Sequence, residues 1–221
     1  MELGLRAGIE TAETRLTPLG KAGKCLLVKR FDINATGGRN HLVSMQTLLR
    51  ADDYYNAGYH DLAEVIRHIS SQPAHDLYRL YRQMIFNVLI GNTDDHPRNH
   101  AAFWDGQTLT LTPAYDICPQ GRTGNEASQA MLITEDNRMS RISSCLDAAP
   151  HFLLSRLEAT TIVENQLNCI IDHWHAACEE AALTPADSAF LWGRQFLNPY
   201  AFEDLDGDTA HLKNIADHAR T

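Results

Sequence analysis

The 221-residue sequence has no long apolar run, no secretion signal and no cysteine pair. Its apolar stretches are far shorter than the roughly 20 residues needed to cross a bilayer, so we expect no membrane association. The N-terminus lacks a basic region followed by an apolar core, which argues against a secretory signal. The five cysteines form no CxxC pair and leave one over, which is typical of reduced thiols in a cytoplasmic protein.

Positive charge is also scarce in this sequence. The chain has 19 Lys and Arg against 28 Asp and Glu, a net charge of −9. This balance argues against direct binding of a nucleic-acid backbone, but it is compatible with a DNA-bound partner or a small basic patch near a phosphate site. With 44% hydrophobic and 21% charged residues, the composition indicates a soluble, globular chain of one large or two small domains.

The pattern of apolar residues predicts a mainly helical domain with a few short strands. Residues 24–31 are short, apolar and β-prone, which predicts a buried strand. Helices are predicted at 41–50, 60–71 and 76–90. The last helix has the clearest pattern, because its apolar residues recur at spacings of three and four and Gly91 follows it as a C-cap.

Beyond this helix we predict a hairpin, a loop and further helices. Residues 101–104 and 107–111 form the predicted hairpin, with Asp-Gly at 105–106 as a two-residue turn. Helical periodicity returns beyond about residue 150. The tail from Asp204 is polar, so we expect it to fray.

One polar run carries the strongest functional signal. It extends from Gly91 to His100 and is followed, after the predicted hairpin, by Asp116. Asp94 and Asn99 have four residues between them, which is the spacing of a kinase catalytic loop. Phosphoryl transfer of that type uses one Asp to deprotonate the acceptor hydroxyl, and an Asn and a second Asp to hold the Mg²⁺ ions that bridge the phosphates of ATP. The hairpin can bring Asp116 close to Asn99.

Two other interpretations of these residues stay open when only the spacing is considered. The adjacent Asp94 and Asp95 are also suited to capping a helix or lining a solvated loop. A metal-dependent hydrolase would use acidic residues together with His96 and His100 as ligands. The later Asp116 favours the kinase interpretation, because the joint pattern is more specific than either half.

Three segments together resemble the HipA family of serine/threonine kinases, which are the toxin halves of bacterial toxin–antitoxin pairs. The segments are residues 26–32 (LLVKRFD), 86–96 (FNVLIGNTDDH) and 111–116 (LTPAYD). The resemblance extends from near residue 3 to at least residue 180. It implies the fold of a protein-kinase-like C-lobe, the HipA C-terminal domain, with ATP and Mg²⁺ as cofactors.

The resemblance also implies a role for each matching residue. Asp94, rather than Asp95, matches the proton acceptor, and Asn99 and Asp116 match the Mg²⁺ ligands. The family usually has Glu where this chain has Lys29, and backbone contacts to the adenine are expected to survive that change. The segments that meet the nucleotide contain Lys29, Arg30 and Phe31 at the hinge, and His96, Pro97, Arg98, Asn99, Tyr115 and Asp116 beyond it.

The start of the chain departs from the family. Only 28 residues precede Lys29, and they hold no glycine-rich loop to cover the ATP phosphates. We therefore expect residues 1–32 to be a remnant of the N-lobe with the hinge strand, and residues 33–221 to be the helical C-lobe with the catalytic loop and the metal-binding hairpin. The expected partners are an antitoxin or a separate N-lobe polypeptide. The apolar face near 26–28 should then be exposed.

The resemblance implies transfer of the ATP γ-phosphoryl group to Ser or Thr of a protein. An aminoacyl-tRNA synthetase is a target known for the family, although no residue of this chain identifies the target. The alternative is a non-catalytic pseudokinase or decoy that binds an antitoxin or the kinase's target. The missing lobe favours this alternative, and the complete set of Asp94, Asn99 and Asp116 disfavours it.

Overall fold

The computed structural model describes residues 1–20, 23–50 and 56–221. The fold is mainly helical with a few short strands, as predicted, and within the described ranges no helix is long and apolar enough to cross a membrane. The helices are α1 (Glu2–Arg6), α2 (Met45–Leu49), α3 (Tyr59–Ile69), α4 (Pro73–Ile90), α5 (Ile142–Ala148), α6 (Arg156–Glu180), α7 (Pro185–Leu191) and α8 (Ala210–Arg220). The strands are β1 (Thr14–Leu19), β2 (Gly23–Val28), β3 (His41–Ser44), β4 (Ala101–Trp104) and β5 (Leu109–Leu111).

Helix α4 lies at the centre of the core. It begins at Pro73, three residues before the predicted start, because proline is suited to the first turn of a helix, where its missing N–H has no partner to lose. The predicted apolar face is confirmed, since Leu80, Met84 and Val88 are all buried. The helix ends at Gly91, the predicted C-cap.

The first two strands form an antiparallel hairpin of their own, with Thr14 opposite Val28. The strand predicted at 24–31 is β2, and it ends at Val28. The prediction that it is buried is wrong, because Leu26 and Leu27 are 52% and 44% exposed. A two-stranded ribbon has no interior to bury its side chains. The exposure agrees instead with the expectation of an uncovered apolar face.

The helix predicted at 41–50 is only partly correct. Residues 41–44 form strand β3, and the helix is limited to Met45–Leu49. Strand β3 pairs with β4, and His41 lies opposite Trp104. A ten-residue segment is too short for its periodicity to separate helix from strand, and the partner strand lies far away in the sequence.

The hairpin of β4 and β5 is present, but its turn is longer than predicted. Trp104 pairs with Leu109, so four residues connect the strands instead of two. The Asp105 carboxylate accepts the N–H groups of Gln107 and Thr108 at 2.8 and 2.7 Å. This side-chain capping stabilises the longer turn, and it explains why the Asp-Gly pair does not form the tight hairpin.

The C-terminal part of the chain is more ordered than its composition suggests. Helix α6 begins with a capping box, in which the Ser155 N–H donates to the Glu158 carboxylate at 2.8 Å. The expectation that the tail frays from Asp204 is wrong. Helix α8 packs against α6 and buries Leu212 and Ala216, four residues apart on one face.

Candidate active site

The polar loop that follows α4 begins at Gly91, whose conformation is tightly constrained. Gly91 has a φ of 69°, and a Cβ atom at this position would come within 2.7 Å of the Gln195 carbonyl oxygen. Glycine is therefore required here by both conformation and space. The Gly91 carbonyl accepts the Gln120 N–H at 2.9 Å, and the Asn92 N–H donates to the Asn87 carbonyl at 2.8 Å. The loop thus leaves the helix in one defined direction.

The two adjacent carboxylates of this loop have opposite environments. The Asp94 side chain is exposed, whereas Asp95 is only 2% exposed. The Asp95 carboxylate accepts hydrogen bonds from the Tyr59 hydroxyl and from His100 Nε2, the latter at 2.8 Å. Asp95 is therefore engaged inside the protein, and Asp94 is the exposed carboxylate of the pair.

The two predicted metal ligands lie at the ends of tight backbone features. Asn99 ends the short 3₁₀ turn Pro97–Asn99, is 5% exposed, and donates its N–H to the His96 carbonyl at 2.8 Å. Asp116 is exposed and has a φ of 57°, a left-handed conformation that is uncommon outside glycine.

The segment that leads to Asp116 is anchored to α4 by two side chains. The Asp76 carboxylate of α4 accepts the Leu111 N–H at 3.0 Å. Arg79, one turn further along α4, donates to the carbonyls of Leu111 and Thr112 at 2.9 and 3.0 Å. These bonds fix the end of β5 against the central helix, so the position of Asp116 is determined by the core.

A direct contact joins the two ligand-bearing segments. The Tyr115 hydroxyl donates to the Arg98 carbonyl at 2.6 Å, and these residues immediately precede Asp116 and Asn99. The Tyr115 ring also lies 5.6 Å from the Phe31 ring, measured between centroids. The structure therefore brings together the segments that contain Phe31, Arg98 and Tyr115, which are far apart in the sequence.

Residues 29 and 30, in the predicted hinge segment, already form bonds within the protein. The Lys29 N–H donates to the Glu13 carbonyl at 2.9 Å, which continues the ladder between β1 and β2. The Lys29 ammonium is exposed and lies 2.6 Å from the Glu13 carboxylate. Arg30 pairs with Asp32. A backbone donor for adenine at Lys29 would have to break the bond to Glu13, which leaves the backbone of Arg30 and Phe31 as the better candidates.

The pKa values of two tyrosine hydroxyls at the site are raised. Burial raises the pKa of Tyr115 to about 12, and the nearby charges of Asp95 and Asp116 act in the same direction. Burial, followed by the charge of Asp95, also holds the pKa of Tyr59 well above its ordinary value. Both hydroxyls therefore stay protonated and serve as hydrogen-bond donors.

The described residues fit a metal-dependent hydrolase poorly, and two of them could supply oxygen ligands to Mg²⁺. The described part of the chain contains no group of three or more His, Cys, Asp or Glu side chains that could hold a metal ion. His100, one of the ligands that a hydrolase would need, is buried and bonded to Asp95. Mg²⁺ is commonly held by one or two protein oxygens, with phosphates and water completing the shell. Asn99 and Asp116 supply oxygens of that kind.

Two residues that contact the site have no signal in the sequence. Tyr59 begins helix α3 and reaches Asp95 across 36 residues of sequence. Gln46 of α2 accepts a hydrogen bond from Arg98 Nε at 2.6 Å. Neither residue lies in a motif, and both contacts depend on the packing of helices that the sequence does not place relative to the loop.

Comparison with known proteins identifies the family to which this sequence is similar. Residues 1–182 match the HipA-like C-terminal domain. Two proteins of Sinorhizobium fredii (strain NBRC 101917 / NGR234) are similar. "Putative kinase Y4mE" is 28% identical over 128 residues, which are 53% of this chain and 30% of that protein. "Putative kinase Y4dM" is 31% identical over 98 residues, which are 43% of this chain and 24% of that protein.

Solved structures share the fold. HipA from the Shewanella oneidensis MR-1 toxin–antitoxin complex of HipA, HipB and operator DNA has a TM-score of 0.70 at 18% identity, covering 100% of this chain and 53% of that chain. The Helicobacter pylori proinflammatory kinase CtkA has a TM-score of 0.52 at 16% identity, covering 82% of this chain and 85% of that chain.

The matched region thus spans less than a third of either Sinorhizobium protein and about half of the HipA chain. At these low identities the solved structures establish the fold alone, which is that of a kinase-like C-lobe. The sequence match is broader, because it includes 182 of the 221 residues and all the segments that form the candidate site. The chain therefore belongs to the family of HipA-like C-terminal domains.

Proposed function

We propose that this chain is the C-lobe of a serine/threonine protein kinase that transfers the γ-phosphoryl group of ATP to a protein hydroxyl. The observation that carries the proposal is the convergence of three distant segments at Tyr115, which contacts both Phe31 and the Arg98 carbonyl. In a kinase, the corresponding segments meet the adenine, the acceptor hydroxyl and the metal ions.

Asp94 is the proposed base, because it is the exposed member of the Asp94–Asp95 pair. The acceptor oxygen forms a bond to the γ-phosphorus, the bond to the bridging oxygen of ADP breaks, and the acceptor proton passes to the Asp94 carboxylate. Asn99 and Asp116 would hold Mg²⁺, which neutralises charge on the phosphate oxygens when it is bound. Lys29 to Phe31, His96 to Arg98 and Tyr115 would line the nucleotide.

We assign residues 1–32 to the hinge side of the fold and residues 33–221 to the helical lobe. The polypeptide that covers the phosphates would lie outside these 221 residues, in a longer form of the chain or in a separate partner. The similar HipA was solved in complex with HipB and operator DNA. By analogy, an antitoxin is the proposed partner, and a cytoplasmic toxin–antitoxin pair is the proposed setting.

The proposal is tested by two substitutions with different expected effects. Asp116→Ala should weaken the binding of Mg²⁺-ADP, because it removes a carboxylate ligand of the metal. Asp94→Asn should leave that binding largely intact and should lower phosphoryl transfer by about 10²-fold or more in the assembled kinase, because the general base is lost. Calorimetry and a radiolabelled phosphate assay measure the two effects.

Asp172→Ala is the matched control, since Asp172 is an exposed carboxylate on α6. It should change neither binding nor transfer. Full activity of Asp94→Asn in an assembled, active kinase would refute the assignment of the base. Binding of an antitoxin or of the kinase's target, with no transfer in any assembly, would favour the pseudokinase or decoy instead.

A further inference from the structure

The carboxylate beside the proposed base is the centre of a buried hydrogen-bond network. The Tyr59 hydroxyl and His100 Nε2 both donate to the same oxygen, Asp95 Oδ2. All three side chains are at most 2% exposed, and the Tyr59 and His100 rings meet edge to face with centroids 5.9 Å apart. A carboxylate buried this deeply is stable only when donors of this kind satisfy its oxygens.

The network closes the loop that carries the proposed functional groups. Asp95 directly follows Asp94, and His100 directly follows Asn99. The Asp95–His100 hydrogen bond therefore joins the two ends of the segment, and the bond from the Asn99 N–H to the His96 carbonyl lies inside it. Any displacement of Asp95 or His100 must move the neighbouring base or metal ligand, because they share a peptide bond.

The network is also tied to the scaffold at two further points. The Tyr59 N–H donates to the Leu132 carbonyl at 2.8 Å, which fixes the start of α3. The Met45 N–H donates to the His100 carbonyl at 2.9 Å, which fixes the start of α2 against the end of the loop. The loop is thus held by elements that do not contain the catalytic motif.

We infer that Tyr59, Asp95 and His100 are positioning residues that clamp the loop so that Asp94 and Asn99 keep their reactive placement. The inference rests on the proposed function for the roles of Asp94 and Asn99. Displacing reacting groups by about 1 Å can lower a rate by roughly 10²-fold, so a clamp adjacent to both groups has a direct effect on the chemistry. All three clamp side chains are buried, so they act through the loop.

Amide hydrogen exchange of the whole chain, followed by NMR, tests the clamp without any ligand. The probe is the Asn99 N–H, which is protected by its bond to His96. Tyr59→Phe should speed its exchange by about tenfold or more, because the buried Asp95 loses a donor. Tyr81→Phe is the matched control, since Tyr81 is equally buried and donates to the Cys145 carbonyl at 2.9 Å, in a bond that involves no loop residue. It should leave Asn99 unchanged.

A pair of substitutions at His100 gives an independent test. His100→Gln keeps an N–H donor for Asp95, whereas His100→Leu has none. The exchange of the Asn99 N–H should be close to that of the wild type in the first variant and about tenfold faster in the second. A purely steric role of the ring would make the two variants alike, which would overturn the inference. Wild-type exchange in Tyr59→Phe, or equal acceleration in Tyr81→Phe, would do the same.

Binding of Mn²⁺ with ADP connects the clamp to the proposed function. Paramagnetic broadening of the Asn99 signals in the wild type should report the bound ion, and Tyr59→Phe should require several-fold more Mn²⁺ for the same broadening, unlike Tyr81→Phe. Equal Mn²⁺ requirements in these variants would overturn the positioning role. Absence of broadening in the wild type would count against the proposed metal ligands, and the exchange results would still decide whether the clamp exists.

Discussion

At the scale of single residues, Tyr115 makes two separate contacts, one through its ring and one through its hydroxyl. Its ring lies against Phe31 of the hinge, and its hydroxyl donates to the Arg98 carbonyl, next to Asn99. The ring is therefore placed to line the proposed nucleotide site, while the hydroxyl joins the segments that carry Asn99 and Asp116. A substitution that removes only the hydroxyl separates the two contributions.

Tyr115→Phe should weaken the Mg²⁺-dependent part of ADP binding by about 2- to 10-fold, which corresponds to one lost hydrogen bond of about 0.5–1.5 kcal/mol. Binding of ADP without Mg²⁺ should not change, because the ring stays on Phe31. Calorimetric titrations with and without Mg²⁺ measure both quantities. Tyr78→Phe is the control, as Tyr78 is 39% exposed. An equal loss of metal-free binding in Tyr115→Phe would contradict the expected division of roles.

The candidate residues could be predicted from the sequence, but their environments could not. The spacing of Asp94, Asn99 and Asp116 follows from the chemistry that such a site needs, and the structure places the segments that carry them in contact. The difference between Asp94 and Asp95 depends on Tyr59, which begins a separate helix. Local spacing holds no information about such a partner, so the residues alone left the choice between the two carboxylates open.

At the scale of secondary-structure elements, helix α4 is the support of the site. Leu89 lies in its last turn, is fully buried and precedes Asp94 by only a few residues. Leu89→Ala should lower the free energy of unfolding by about 2–5 kcal/mol, because it removes buried surface and leaves a cavity. Urea denaturation followed by circular dichroism measures this change.

Leu157→Ala is the control for that substitution. Leu157 is also in a helix, α6, but is 78% exposed, so its loss should change stability by no more than about 0.5 kcal/mol. Similar losses in the two variants would mean that the α4 face does not carry the core as described.

The elements that could be predicted differ from those that could not in length and in the clarity of their apolar pattern. Helix α4 has eighteen residues, and its period of apolar positions is repeated often enough to identify it. Strand β3 has four residues and exists because β4 pairs with it. Helix α8 is polar overall, and its two buried positions, Leu212 and Ala216, become a face only when α6 lies beside it. Short or polar elements are thus determined by tertiary contacts that the local sequence does not contain.

At the scale of the whole molecule, the β1–β2 hairpin carries several exposed apolar residues. Leu16 and Leu19 of β1 are 41% and 64% exposed, and Leu26 and Leu27 of β2 are 52% and 44% exposed. The hairpin is attached to the lobe by the Lys24 ammonium, which donates to the Ala181 carbonyl at 2.6 Å, at the end of α6. Exposed apolar residues on a two-stranded ribbon are suited to contact with further polypeptide.

These 221 residues alone should therefore have little or no kinase activity. In a kinase the nucleotide is held from both sides, with the phosphates covered from above and bound through Mg²⁺ from below, and only the lower set is proposed within this chain. Losing the upper contacts lowers both affinity and alignment, and poor alignment alone costs about 10²-fold in rate. Calorimetry should show weak Mg²⁺-ATP binding, and a radiolabelled phosphate assay should show almost no transfer. Robust phosphorylation at ordinary ATP concentrations, with no added protein, would show that the upper contacts are dispensable.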